Sequence, residues 1–142
     1  MGKKVKVVFD TNVWISIFMK KILSQEYYKI LNKGATVYVS KDIMLEISKV
    51  LTYPKINQTL KASEIDARQI LRIIAANSTI VTPKIKVHII EEDPPDNRIL
   101  ECALAAGAKF IATGDKHLLK LGKFKQTKIL TPRELFDYCT SN

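Results

Sequence analysis

Val5-Lys6-Val7-Val8-Phe9-Asp10-Thr11-Asn12-Val13 is the stretch on which the fold is decided. Its first five residues are mostly β-branched or aromatic and show little polar alternation, the pattern of a strand buried on both faces. The run then stops on a carboxylate. A buried strand that ends in an acid carries that acid to the rim of a sheet, and in open α/β sheets ligands bind in the crevice beyond the carboxyl ends of the strands. Late in the chain, Phe110-Ile111-Ala112-Thr113-Gly114-Asp115 repeats the arrangement: apolar strand, tight turn, acid at the start of a helix.

Around these two stretches, strand signals fall at Val5 to Phe9, Thr36 to Val39, Thr79 to Thr82, Phe110 to Thr113 and, more weakly, Lys128 to Leu130. Helical patterns occupy 12–32 (one or two helices), 41–52, 63–76, 96–106 and 132–139. Strands alternating with helices predict an α/β domain with a parallel sheet covered on both faces. Ser40 or Lys41 opens one helix, Ser63-Glu64-Ile65-Asp66 another, and Thr131-Pro132-Arg133-Glu134 a third as a capping box with proline at the first helical position. Gly107 is placed to end the helix that begins near Asp96. Tyr53-Pro54 and Val81-Thr82-Pro83 read as local breaks, so residues 1–142 are expected to form a single domain.

With 142 residues, 46% of them hydrophobic and 26% charged, the chain can bury a core without disulfides or structural metals. Cys102 and Cys139 are its only cysteines, far apart and each among apolar helical residues, which argues against a disulfide framework or a zinc site. The basic start Met1-Gly2-Lys3-Lys4 leads into a strand rather than a signal sequence, and no apolar run reaches the ~20 residues of a membrane span. A reducing, cytoplasmic setting is expected. Twenty-three Lys and Arg against fourteen Asp and Glu give a net charge of +9, which favours a polyanionic partner. If four acids gather in one hollow, ten acids are left against twenty-three bases elsewhere, and a negative site sits inside a positive rim.

Four acids are candidates for that hollow. Asp10 and Asp115 follow the two strands, and Asp10 could alternatively serve only as a helix cap. Glu46 stands three residues after Ile43 and four before Val50, at the edge of an apolar helical arc where an unpaired charge is costly; its duller role is to reach outward to Lys49 or Lys41. Asp96 follows Asp93-Pro94-Pro95, where the prolines impose an extended approach and make Asp96 the natural N-cap. Carboxylates sharing one cleft raise each other's pKa unless a cation compensates. Oxygen ligands without His or Cys suit Mg²⁺ or Mn²⁺. Such ions polarise a phosphoryl group and activate water, so phosphodiester hydrolysis is the chemistry expected. His117 is left outside the set. Lys20, Lys21, Lys84 and Lys86 are candidate phosphate contacts.

Taken in order, Val8-Phe9-Asp10-Thr11-Asn12-Val13, Tyr38-Val39-Ser40 with Glu46-Ile47-Ser48-Lys49-Val50-Leu51, Asp93-Pro94-Pro95-Asp96-Asn97-Arg98-Ile99-Leu100-Glu101-Cys102-Ala103, Ala112-Thr113-Gly114-Asp115-Lys116-His117-Leu118-Leu119 and Ile129-Leu130-Thr131-Pro132-Arg133-Glu134-Leu135 resemble a PIN-domain ribonuclease. The likeness is to the VapC-like subgroup described as toxin components of toxin–antitoxin pairs. Each piece is weak alone; their order is specific, and it spans nearly the whole chain. The resemblance implies a three-layer α/β/α sandwich around a five-stranded parallel sheet of order 3-2-1-4-5. It also implies a catalytic, metal-binding set Asp10, Glu46, Asp96 and Asp115, with Asn12 and Thr113 in support, and RNA cleavage with Mg²⁺ or Mn²⁺. An antitoxin partner and a homodimer are implied too. One departure is visible: Pro95 stands where relatives often carry a further acid, which leaves Asp93 as an outer ligand.

A phosphatase of the haloacid dehalogenase type would need a second Asp where Asn12 stands, and a dinucleotide-binding fold would need a glycine-rich first turn. Neither fits. The rival from another class is a nucleic-acid- or protein-binding module that keeps the fold with little or no catalysis, held silent by an antitoxin chain.

Overall fold

The computed structural model describes residues 4–141, so Met1, Gly2 and Lys3 of the basic start lie outside the described residues. Its sheet has six strands in the order β3-β2-β1-β4-β6-β5. These are β1 (Lys6–Phe9), β2 (Thr36–Ser40), β3 (Ser78–Val81), β4 (Phe110–Ala112), β5 (Lys123–Phe124) and β6 (Thr127–Leu130). Strands β1 to β4 and β6 pair in parallel, in the order the resemblance implied, with Val7 beside Phe110 and Phe9 beside Ala112. The expected five-stranded, wholly parallel sheet needs one correction, because β5 adds an antiparallel edge on β6. Two residues are too few to show a strand period, and the intervening turn depends on Lys125 adopting φ 53°.

Among the described residues, seven helices connect the strands and an eighth follows the last: α1 (Thr11–Met19), α2 (Lys21–Asn32), α3 (Lys41–Val50), α4 (Pro54–Ala62), α5 (Ala67–Asn77), α6 (Pro94–Ala106), α7 (Lys116–Leu121) and the terminal α8 (Pro132–Thr140). Crossovers between parallel strands are right-handed. The connection from β3 to β4, which runs back across the sheet, therefore lies on the face opposite the two before it, and three layers result. The core follows from the strands: Val7, Val8, Phe9, Val37, Val39 and Ile111 are fully buried. Phe9, Trp14 and Tyr27 pack edge to face, with ring centroids 5.0–6.0 Å apart, and fix α1 and α2 against β1.

Three boundaries differ from expectation for local reasons. Tyr53-Pro54 is not simply a break: proline lacks the amide that a first helical residue has no use for, and it starts α4. The next helix is capped by Asp66, in a reciprocal box with Gln69, rather than by Ser63, which ends α4. Pro94 and Pro95 are the first two residues of α6 rather than an extended lead-in, so Asp93 occupies the N-cap position and Asp96 lies in the first turn. Gly107 closes α6 at φ 63°, and Thr131 with Glu134 forms the expected box at α8.

Candidate active site

The two strand-end acids meet where β1 and β4 run side by side. Asp10 donates its amide to the Ala112 carbonyl at 3.1 Å, which ties the end of β1 to the end of β4. Its Oδ1 accepts from the Val13 amide at 2.8 Å, capping α1, while its Oδ2 accepts from the Thr113 hydroxyl. The same Thr113 oxygen accepts from the Asp115 amide at 2.9 Å. Thr113 is fully buried, and its single hydroxyl therefore sets the spacing of both acids. Asp115 caps α7 through Oδ1, which accepts from the His117 and Leu118 amides at 2.8 and 3.2 Å. Capping and site-building coexist at both positions, since each carboxylate oxygen has a second lone pair.

The N-cap and first turn of α6 bring Asp93 and Asp96, and α3 brings a fifth acid, Glu46. Asp10, Asn12, Glu46, Asp93, Asp96 and Asp115 all line one hollow of about 80 Å³, together with Thr11, Val50, Pro95 and Ile99. Thr113 stands behind it, touching Asp10. Within this hollow the tightest group is Asp93, Asp96 and Asp115, with one oxygen from each lying within 4.8 Å of the others. Asp93, expected at the margin, is thus a member of the closest triad, whereas Asp10 and Glu46 line the same hollow outside it. Among the described residues no ion pair joins Glu46 to Lys49 or Lys41, and Glu46 lines the hollow.

The electrostatics are those of crowded acids. Asp96 is 7% exposed, and its Oδ2 is buried without a hydrogen-bond partner. Burial, its hydrogen bond with Asp115, and the charges of Asp115, Asp93 and Asp10 push its carboxyl up to about 8. Burial also raises Asp10, against the lowering effect of the Thr113 hydroxyl and the Val13 amide. A buried carboxylate oxygen with no donor, beside two more acids and no Lys or Arg lining the hollow, fits a hard divalent cation: all-oxygen ligands, clustered negative charge and an unmet need for a positive partner.

The adjoining hollow carries both signs of charge. Of about 340 Å³, it shares Thr11, Glu46, Pro95 and Ile99 with the acidic one and adds Asp42, Leu45, Lys49 and Arg98. Lys84 and Lys86 line another with Lys41, while Lys20 and Lys21 are exposed at the junction of α1 and α2. Sequence reasoning missed Lys49 as a rim cation, and it missed Asn97 and Glu101, both buried on α6. Their signal was faint: polar residues four apart on a helix otherwise rich in buried apolar positions.

A family model described as PIN domain matches residues 6–117. An uncharacterised protein of Methanocaldococcus jannaschii is 32% identical over 149 aligned positions, covering 94% of this chain and 91% of that protein. Among solved structures, the crystal structure of VapBC2 from Rickettsia felis, bound to a DNA fragment from their promoter, contains a chain that superposes with a TM-score of 0.59. That match covers 87% of this chain and 96% of the other at 15% identity, a likeness of fold.

Proposed function

Because this chain belongs to the PIN-domain family, whose members are generally nucleases, we propose that it is a metal-dependent endoribonuclease hydrolysing RNA phosphodiester bonds, and that it serves as the toxin of a toxin–antitoxin pair. The observation that carries this reading is the convergence of five acids, Asp10, Glu46, Asp93, Asp96 and Asp115, on one small hollow in a chain of net charge +9. Mg²⁺ or Mn²⁺ held by Asp93, Asp96 and Asp115, with Asp10 and Glu46 beside them, would supply Lewis acidity at a phosphoryl oxygen and activate water for attack.

The remaining work falls to the protein's own groups. Thr113 and the Val13 amide fix Asp10 so that its carboxylate does not reorganise when substrate arrives. Burial and the neighbouring acids push the Asp96 carboxyl up to about 8, so binding of a cation there would release its proton and cation affinity would increase with pH. Asn12, exposed at the mouth, offers an amide to a phosphate or ribose oxygen. Lys49 borders the adjoining hollow, and the chain's net charge of +9 supplies a positive field that draws a polyanion toward an acidic centre. The VapBC2 likeness supports an antitoxin partner, and the family resemblance supports a homodimer, for which light scattering should return twice 16.1 kDa.

The test is Mg²⁺-stimulated cleavage of single-stranded RNA by purified wild type and by Asp10→Asn. Cleavage by wild type, lost by at least a hundredfold in the variant with fold and RNA affinity kept, is the result expected. Equal cleavage by both would mark a contaminating nuclease, and none by either, with salt-sensitive RNA binding, would favour the silent binding module.

A further inference from the structure

Residues 82–93 contain no helix or strand, yet Val87 and Ile90 within them are buried. Backbone held down in this way needs partners for its amides and carbonyls, and one helix supplies them. The side-chain oxygen of Asn97 accepts from the Ile89 and Ile90 amides at 3.0 and 2.9 Å, and its Nδ2 donates to the Ile90 carbonyl at 2.6 Å. One turn along α6, Glu101 Oε2 accepts from the Val87 amide at 2.9 Å and from Arg98 Nη2 at 2.8 Å. Arg98 Nη2 also donates to the Val87 carbonyl at 3.1 Å. A planar amide that donates and accepts at once suits the Ile89–Ile90 backbone; neither a carboxylate nor an apolar group could make all three bonds.

This clasp closes a short ring. With Ile90 fixed to Asn97 and α6 starting at Pro94, only Glu91, Glu92 and Asp93 lie between the anchored points. Asp93 accepts the Asp96 amide with its backbone carbonyl at 2.9 Å, but its side chain makes no capping bond. An Asp at that position ordinarily commits an oxygen to the helix amides. Here the carboxylate is left to the hollow, within 4.8 Å of Asp96 and Asp115.

We propose that Asn97 is a positioning residue for the cation site: its grip on Ile89 and Ile90 sets where Asp93 stands relative to Asp96, its own neighbour in sequence. The proposal rests on the cation-binding reading above. Groups that orient metal ligands typically alter affinity roughly 10- to 100-fold when removed.

Mn²⁺ affinity, measured by electron paramagnetic resonance on wild type, Asn97→Ala and Thr127→Val, tests it without reference to activity. Thr127→Val is the control for lost stability alone, because Thr127 is equally buried and its hydroxyl donates to the Ala108 carbonyl, outside the acidic hollow. Weakening of roughly 10- to 100-fold in Asn97→Ala, with Thr127→Val within about twofold of wild type, is expected. Folded Asn97→Ala that binds Mn²⁺ as tightly as wild type overturns the proposal and leaves the nuclease reading standing. Wild type that binds no Mn²⁺ overturns both. Should Asn97→Ala fail to fold, Asn97→Ser, which stays polar but is too short to reach Ile90, is read by the same criteria.

Discussion

Asp96 makes the strongest demand of any single residue. Folding carries its carboxyl from an ordinary 3.8 up to about 8, chiefly through burial, so the native protein holds a proton that the unfolded chain has released. The contribution of this group to stability without cations is therefore full below about 4 and is lost as pH rises to about 8, since its native form holds the proton throughout that window. Asp10, raised for the same reason, adds to the slope. Thermal melts in chelator should show the highest Tm near the acid end of this window, and Asp96→Asn should flatten the dependence; a Tm that climbs toward pH 8 would contradict this account of the site. Thr113→Val leaves the Asp10 carboxylate short of a buried donor and should cost about 1 to 3 kcal/mol in denaturant unfolding. Asp10 and Asp115 were legible in sequence because an apolar run that stops at an acid has few structural explanations. Asp93 was under-read because its place depends on backbone held by Asn97, and nothing adjacent in sequence announces such a grip.

Elements were legible in proportion to their length and punctuation. Strand β1, helix α3 and the capped start of α8 came directly from apolar pattern and cap chemistry. Helix α4 and strand β5 did not: one begins at a proline that also marks breaks, and the other is two residues long. The start of α6 was displaced because Pro-Pro suits an extended lead-in as readily as a first helical turn, and only packing against β1 to β4 selects the helix. Its end is firmer. Gly107 at φ 63° has open space around the position a Cβ would take, so Gly107→Ala meets backbone strain without a clash. That substitution should destabilise by about 1 to 2 kcal/mol while leaving cation affinity unchanged; a neutral effect on unfolding would mean the helix can end otherwise.

Across the whole molecule, the arrangement is a negative hollow set in a positive chain, and both halves make predictions. RNA affinity should fall steeply with ionic strength as counterions are released from the phosphates, while addition of Mg²⁺ or Mn²⁺ to cation-free protein should raise Tm through preferential binding to the folded state. Among the described residues no helix is long and apolar enough to cross a membrane. The order of the five parallel strands was available from the family resemblance, and the meeting of β1 and β4 was foreshadowed by their matching ends. What no reading of the chain could provide is the relative distance of the acids, because Glu46 and Asp93 reach the hollow from helix and loop positions whose placement only tertiary packing decides. Diffraction from crystals soaked in Mn²⁺, recorded at the manganese edge, would locate any cation held by these acids. An anomalous peak within coordination distance of Asp93, Asp96 and Asp115 carboxylate oxygens is the result this account predicts; an empty hollow, or manganese bound only at other acids, would contradict it.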